Sequence, residues 1–265
     1  MRIAVLVKHV PDIEIGYEFT DGLRLDRAGD GLLSQLDEYP LDVARQLARA
    51  AGAEVVAVTV GPDQAEEALR RALQMGADRA VHVSDQAIAG SDPAATARCL
   101  AAAIREIGDV DLILTGAESA DAGTGLVPVQ VASLLGAPAL TGASHVEVGD
   151  GAVTIRRDEE DASYTIRAPL PALVSVTEQV GEPAYPSAKA VMLARRKPVD
   201  TLDLEDIGVS PAGVGEAGSA VAVAAIERVP PRVAGVTLPA DSPDAIVRFL
   251  ELVRRAGVME GGRHA

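Results

Sequence analysis

The sequence is poor in aromatic residues and in cysteine. Aromatic side chains make up 2% of the 265 residues and tryptophan is absent, so a core has to be packed from Ala, Val and Leu. The chain therefore has few rings of its own on which a base or a flavin could stack. The single cysteine, Cys99, excludes a disulfide within the chain and fits a reducing compartment.

Basic residues are also few. Lys and Arg number 24 against 39 Asp and Glu, which leaves a formal net charge of -15. This charge disfavours binding to nucleic acid and to anionic membranes and favours basic protein surfaces. No apolar run reaches membrane-spanning length, and residues 1–10 are too short for a signal peptide. We therefore expect a cytoplasmic protein that neither binds nucleic acid nor inserts into a membrane.

Patterns for metal or nucleophile chemistry are missing as well. The histidines have no partner at ligand spacing: His9, His82, His145 and His264. Ser119 lacks the Gly-x-Ser-x-Gly elbow, and Cys99 has no nearby base. Neither a P-loop nor the common dinucleotide fingerprint occurs. The sequence thus gives little support to metal catalysis or to nucleophilic catalysis.

What the chain does have is a regular alternation of apolar strands and amphipathic helices. Four runs predict buried strands, each followed by a helical pattern: residues 2–7, 54–60, 79–83 and 110–114. Residues 63–66 resemble a capping box, and Asp92 with Pro93 predicts another helix start. The alternation predicts an α/β fold, with a mostly parallel sheet and helices on both faces.

The remaining segments depart from this alternation. Residues 13–34 predict a hairpin excursion, and residues 145–167 a small antiparallel extension, before residues 170–176 return to the main sheet. Residues 201–231 resemble a linker rich in Gly, Pro and Ala, and the segment from Ser242 forms a last amphipathic helix. We expect a nucleotide-binding domain over residues 1–200 and an extended C-terminal arm over 201–265 that wraps a partner.

The nucleotide expectation begins with a loop of small residues after the fourth strand. Residues 121–125 read Asp-Ala-Gly-Thr-Gly and stand directly before a predicted helix that begins at Val127. Backbone N–H groups in such a loop can approach an anion, and the helix dipole adds positive charge. The same pattern fits a plain turn whose glycines only supply φ > 0. Lys8, at the end of the first strand, is a candidate phosphate contact or a solvated strand-end lysine.

An ordered series of motifs resembles one protein family. The motifs are Val7-Lys8-x-Val10-x-Asp12, Leu36-Asp37-Glu38, Gly61-Pro62, Leu69-Arg-Arg-Ala-Leu-Gln-Met-Gly-Ala-Asp-Arg79, Asp121-x-x-Thr-Gly125 with Leu134-Leu-Gly, Leu170-Pro-Ala-Leu, and Glu182-Pro-Ala-Tyr185 running to Arg195-Arg-Lys-Pro198. In this order they cover nearly the whole chain. They resemble the beta subunit of electron-transfer flavoprotein, including its nitrogen-fixation-associated relatives.

The resemblance implies a heterodimer with an alpha subunit that passes electrons from dehydrogenases to a quinone-linked or similar acceptor. It implies FAD held mostly by the alpha subunit near the interface, and AMP in the beta subunit, where bifurcating relatives bind a second FAD. The positions it implies for cofactor binding, with Lys8 added, are Leu6, Ser34, Gln35, Leu36, Asp37, Val60, Gly116, Ala117, Glu118, Asp121, Gly123, Thr124, Gly125, Leu126 and Val127.

This chain departs from the family pattern at a few positions. Many relatives carry polar side chains where it has Gly125 and Leu126, so contacts there would use the backbone. The positions of flavin-adjacent aromatic residues in some relatives correspond to Ile13 and Leu36. AMP and a second FAD both remain open.

The resemblance also implies a partner-binding segment that contains Tyr185, Ala188, Met192 and Leu193. Relatives that serve acyl-CoA dehydrogenases carry a leucine anchor where this chain has Ala188, and its loss removes buried area worth about 25 cal/mol per Å². The usual acyl-CoA dehydrogenase is therefore disfavoured as a partner. The alternative is a stand-alone adenine-nucleotide-binding protein of the universal-stress type, which would need neither this segment nor the arm.

Overall fold

The chain is described from a computed structural model. The described residues are 1–12, 16–20, 23–27, 30–227, 229–230, 235–239 and 242–257. The chain divides into two compact units, Met1–Ala225 and Ile226–Ala265. Residues 201–225, which the sequence analysis placed in the arm, thus lie in the first unit.

The described residues form twelve strands and seven α-helices. In chain order the strands are β1 (Arg2–Leu6), β2 (His9–Pro11), β3 (Gly31–Leu33), β4 (Glu54–Val60), β5 (Arg79–Val83), β6 (Leu112–Gly116), β7 (Ala139–Ala143), β8 (His145–Gly149), β9 (Ala152–Asp158), β10 (Ser163–Pro169), β11 (Ala172–Val176) and β12 (Val199–Leu202). The helices are α1 (Gln35–Ala51), α2 (Glu66–Met75), α3 (Pro93–Ile107), α4 (Val127–Leu135), α5 (Ala188–Ala194), α6 (Gly215–Gly218) and α7 (Ala245–Arg255).

Seven strands form one parallel sheet in the order β12-β5-β4-β1-β6-β11-β7. The chain proceeds outward from β1 through β4 to β5, and then crosses to the other side of β1 to form β6. This reversal creates a switch point between β1 and β6, the place where open α/β sheets bind ligands. The predicted α/β class is confirmed.

The sheet is buried on both faces, and β1 shows how. Ile3 and Val5 belong to an apolar layer that includes residues of α1 and α2, whereas Ala4 and Leu6 belong to the layer with α3 and α4. Alternate residues of a strand point to opposite faces, so a strand covered on both sides is apolar at every position. This is why the strand sequences form continuous apolar runs.

Elements outside the parallel core differ in part from expectation. The hairpin predicted over residues 13–34 begins earlier: β2 at residues 9–11 pairs antiparallel with β3, and Phe19 forms an antiparallel bridge with Leu25 between them. Residues 13–15, 21–22 and 28–29 of the predicted range lie outside the described residues. The predicted antiparallel segments form a separate sheet of order β10-β9-β8. The predicted capping box is wrong: residues 63–65 form a 3-10 turn, and the Asp63 carboxylate accepts from the Ser84 hydroxyl at 3.3 Å. The Asp92 cap is confirmed, because its Oδ1 accepts from the Ala95 N–H at 2.8 Å.

The second unit contains α7, the predicted last helix. Its apolar residues are exposed, with Phe249 at 57% and Ile246 at 74%. Among the described residues of this unit no hydrophobic side chain is buried. Nowhere in the described chain does a helix combine the length and apolarity that a bilayer crossing requires.

Candidate functional site

The candidate site lies where β1 and β6 separate. The two strands pair through Val5 and Leu114. Beyond that point Val7 continues along β4 by donating to the carbonyl of Val58 at 2.9 Å, while Gly116 pairs with Val176 of β11. The strand ends therefore diverge and leave a crevice at the carboxyl edge of the sheet.

Asp37 of α1 lies between the two diverging strand ends. Its side chain is buried, and Oδ2 accepts from the Lys8 N–H at 2.7 Å, with a second backbone hydrogen bond from Gly116. Burial is the larger effect and raises the pKa of Asp37 to about 7. A Cβ at position 116 would lie 2.9 Å from Asp37 Oδ1 and 2.9 Å from the Leu36 carbonyl oxygen, so only glycine fits.

The small-residue loop after β6 forms one wall of the crevice. Gly123 and Gly125 have φ of 56° and 60°, a conformation that favours glycine. The phosphate interpretation of the loop stays a prediction. In the described part of the chain, the backbone N–H groups of residues 124–127 donate to no protein acceptor, and Leu126 provides no side-chain cap for α4. The turn thus leaves N–H groups available to an anion at the start of a helix.

Two cations converge on Asp121 at the beginning of this loop. Lys8 Nζ lies 2.7 Å from Oδ1, and the Arg27 guanidinium donates to Oδ2. Burial of Asp121 by itself would raise its pKa, but the two cations lower the pKa to about 2. For Lys8 the burial effect is larger than the attraction of Asp121, and its pKa is lowered. Two cations thus share one buried carboxylate at the beginning of the loop, within a chain of net charge -15.

The β2–β3 hairpin excursion lies against the same loop. The Tyr17 hydroxyl donates to the Ala120 carbonyl at 3.1 Å, and the Ala120 N–H donates to Ser34 Oγ at 3.4 Å. Sequence reasoning did not single out Arg27 or Tyr17 as site residues. No local signal marks them, since each bonds to a residue about a hundred positions further along the chain.

The structure brings most of the predicted cofactor positions to one edge of the sheet. Lys8, Ser34, Asp37, Gly116 and Asp121 are joined by the contacts above. A second group lines the start of α1 and the loop before α4 without such bonds: Gln35, Leu36, Ala117, Glu118, Gly123, Thr124, Gly125, Leu126 and Val127. Their part in nucleotide binding stays a prediction.

Three predicted positions stand apart from that set. The Leu6 side chain is buried in the layer with α3 and α4, so only its backbone reaches the edge. Val60 ends β4, on the far side of β1 from the loop. Ile13, the position of a flavin-adjacent aromatic residue in some relatives, lies outside the described residues.

The predicted partner-binding segment is exposed on another part of the first unit. Tyr185 is 89% and Met192 71% exposed, and Leu193 and Ala188 are exposed beside them on α5. Two contacts hold the segment: the Ala184 N–H donates to Asp42 Oδ1 at 3.2 Å, and the Arg71 guanidinium lies 5.3 Å from the centre of the Tyr185 ring. A fixed but uncovered apolar surface is typical of a docking site.

Other side chains offer little chemistry. Among the described residues no group of three His, Cys, Asp or Glu is placed to hold a metal ion. Burial raises the pKa of Cys99 to about 11, so its thiol stays protonated at neutral pH. Cys99 is packed in the layer with α3 and α4, as predicted.

Comparisons with known proteins agree with the motif series. The family model described as Electron transfer flavoprotein domain matches residues 22–207. Electron transfer flavoprotein subunit beta of Mycobacterium tuberculosis is 38% identical over 258 residues, which cover 94% of this chain and 97% of that protein. The protein of the same name from Mycobacterium leprae is 39% identical over 260 residues, with the same coverage. Subunit CarD of the caffeyl-CoA reductase-Etf complex of Acetobacterium woodii is 35% identical over 217 residues, 81% of this chain and 83% of that protein. The chain therefore belongs to the electron transfer flavoprotein family, among its beta subunits.

Proposed function

We propose that this chain is the beta subunit of a heterodimeric electron-transfer flavoprotein, in which it binds AMP structurally and helps to shape the flavin site of an alpha subunit. The complex passes electrons from dehydrogenases to a quinone-linked or similar acceptor, in the cytoplasm, and this chain is not a catalyst on its own. The observation that carries the proposal is the crevice at the β1–β6 switch point with its anion-binding loop.

The residues at the crevice suit an adenylate. The N–H groups of residues 124–127 are available to a phosphate at the start of α4, and the cations of Lys8 and Arg27 lie at the beginning of the same loop, paired with Asp121. Leu36 and Leu126 supply partly exposed apolar surface at the same edge, which suits a ribose or a base.

FAD, when bound, accepts and releases the electrons that the complex transfers. We propose that the alpha subunit holds most of it, because this chain has few aromatic rings to stack on a flavin. The contribution of this chain is a wall of the flavin site and the surface that receives the alpha subunit. A second FAD in place of AMP would make the complex a bifurcating one.

The partner surfaces support an assembly rather than a stand-alone protein. In the second unit, Ile246, Phe249 and Leu250 follow helical spacing on α7 and are uncovered, which suits a helix that docks on the alpha subunit. In the first unit, Tyr185 and Met192 offer a surface to a dehydrogenase, and Ala188 in place of a leucine disfavours the usual acyl-CoA dehydrogenase. The universal-stress alternative accounts for neither surface.

Nucleotide analysis of the assembled complex tests the proposal. Co-expression with an alpha subunit should give a yellow 1:1 complex, and acid release followed by chromatography should yield AMP and FAD. A second FAD without AMP would identify the bifurcating type. A monomer that needs no alpha subunit, or a complex without any adenine compound, would contradict the proposal.

A matched pair of glycine variants at the two ends of α4 sharpens this test. Gly125 and Gly136 both have positive φ, 60° and 68°, but only Gly125 lies in the loop. Gly125→Ala disfavours the left-handed loop conformation that presents the N–H groups by about 1–2 kcal/mol, so it should reduce bound AMP by about tenfold. Gly136→Ala should lose similar stability and keep its AMP.

A further inference from the structure

Asp37 bridges the two strand ends that separate at the switch point. Its carboxylate accepts the Lys8 N–H beyond the end of β1 and a backbone hydrogen bond from Gly116 at the end of β6. The Lys8 carbonyl in turn accepts from the Ser34 N–H at 2.9 Å, directly before α1. The start of α1 is therefore inserted between the diverging strands and bonded to both.

We propose that Asp37 is a positioning residue that sets the width of this crevice without contacting the nucleotide itself. The inference rests on the proposed nucleotide-binding function. The family resemblance groups Asp37 with the nucleotide-binding positions, but the contacts of its carboxylate in this chain are to backbone amides.

The burial and charge of Asp37 agree with this role. The residue is 6% exposed, so its oxygens face the strand ends and not the open crevice. A carboxylate that faced a phosphate would repel it, whereas this one accepts from the N–H of Lys8 and from the backbone of Gly116. The Lys8 ammonium is directed instead to the Asp121 carboxylate, 2.7 Å away at the beginning of the loop.

Gly116 is the residue of β6 against which Asp37 packs, and it has no room for a side chain. Its φ is not in the left-handed region, so its backbone conformation does not demand glycine. The lack of space around this residue does require glycine, because a Cβ would lie 2.9 Å from Asp37 Oδ1 and 2.9 Å from the Leu36 carbonyl oxygen. The carbonyl belongs to the backbone and has little freedom to move. Any side chain at position 116 would push the start of α1 away from β6.

The first test compares two buried acids on α1 in the complex with the alpha subunit. Asp37→Asn keeps the size of the side chain but has one acceptor oxygen, so an amide group faces one of the two N–H donors. Asp42→Asn is the control, because Asp42 is also buried and bonds to Arg45, Gln46 and the Ala184 N–H, away from the crevice. Calorimetric titration of AMP into nucleotide-depleted complex should show about tenfold weaker binding for Asp37→Asn and unchanged binding for Asp42→Asn. Denaturant unfolding should show a loss of stability in both.

The second test reaches the same contact from the strand. Gly116→Ala should weaken AMP binding in the same way, whereas Gly149→Ala, where an added Cβ meets no atom within 4 Å, should not. If Asp37→Asn does not fold, AMP binding by Gly116→Ala still tests whether the contact between Asp37 and Gly116 positions the crevice. Wild-type or tighter AMP binding by both crevice variants would overturn the inference and assign Asp37 a purely stabilising or electrostatic role. A wild-type complex that binds no AMP would instead contradict the proposed function.

Discussion

The carboxylates of Asp37 and Asp121 are both buried at the crevice, yet they ionise over different pH ranges. Asp37 is bonded directly by backbone amides, whose dipoles do not offset the loss of hydration, and its pKa rises to about 7. Asp121 lies between the full charges of Lys8 and Arg27, which outweigh the same loss and lower its pKa to about 2. At the scale of residues, the type of partner decides the charge of a buried acid.

This difference predicts how the two acids contribute to the pH dependence of stability. The pKa of Asp37 is above its ordinary value of 3.8, so the folded chain binds that proton more tightly than the unfolded chain. Its contribution to stability is complete below pH 4 and is lost as the pH rises to about 7. Asp37→Asn cannot ionise. Its stability relative to the wild type should therefore increase by about 2 kcal/mol between pH 5 and pH 7, measured by denaturant unfolding.

Asp121→Asn provides the comparison. The pKa of Asp121 is lowered, so its contribution is present above pH 4 and is lost only as the pH falls toward 2. This variant should be less stable than the wild type by about 1–3 kcal/mol, with a difference that stays constant from pH 5 to pH 7. If the stability of both variants relative to the wild type depended on pH in the same way, the raised pKa of Asp37 would be contradicted.

At the scale of elements, the start of α3 is joined to the last segment of the first unit. Asp92 caps the helix through Ala95, and its Oδ2 also accepts from the Ala220 N–H at 2.7 Å and the Val221 N–H at 3.2 Å. The Asp92 N–H donates to Ser219 Oγ at 2.8 Å. One residue therefore caps a helix and fastens the chain shortly before the second unit begins.

We expect Asp92→Ala to affect both elements. Loss of the cap and of two further acceptors should lower the free energy of unfolding by about 1–3 kcal/mol. Amide exchange should accelerate at residues 220 and 221, because their N–H groups lose their acceptor. Ser187→Ala is the control, since Ser187 caps only its own helix, α5, and should cost about 1 kcal/mol. Unchanged exchange at residues 220 and 221 would contradict this linkage.

At the scale of the whole molecule, the two units differ in how they can be stable. Every buried hydrophobic residue among those described lies in the first unit, between Ile3 and Val214. The described residues of the second unit bury no hydrophobic side chain, and α7 leaves its apolar residues uncovered. The first unit has its own core, whereas the second requires a surface to cover it.

Removal of residues 226–265 tests this division. The shortened chain should keep its cooperative thermal unfolding, with a midpoint within a few degrees of the full chain, because no core residue is lost. It should no longer co-purify with the alpha subunit. A second variant, Phe249→Asp in the full chain, should weaken the association without affecting the fold. Retained association in both would show that the second unit is not the docking element.

Many strands and helices of the first unit could be predicted because neighbouring residues set their positions. The strands β4 and β5 occupy the predicted residues. Each is an apolar run marked by a nearby glycine, Gly61 directly after β4 and Gly76 shortly before β5. The Asp92–Pro93 helix start and the end of α4 at Gly136 depend only on neighbouring residues. The edge strands β7 and β12 escaped prediction, because half-exposed edges mix polar with apolar side chains.

Local patterns were sufficient to predict the alternation of strands and helices in the parallel core, the small-residue loop and the family, because periodicity, caps and motifs act over a few neighbouring residues. The cluster of Lys8, Arg27 and Asp121, and the bridge that Asp37 makes between Lys8 and Gly116, could be recognised only in the folded chain. These contacts join residues 29 to 113 positions apart. They form because the parallel sheet brings the carboxyl ends of β1 and β6 side by side, a proximity that no local pattern contains.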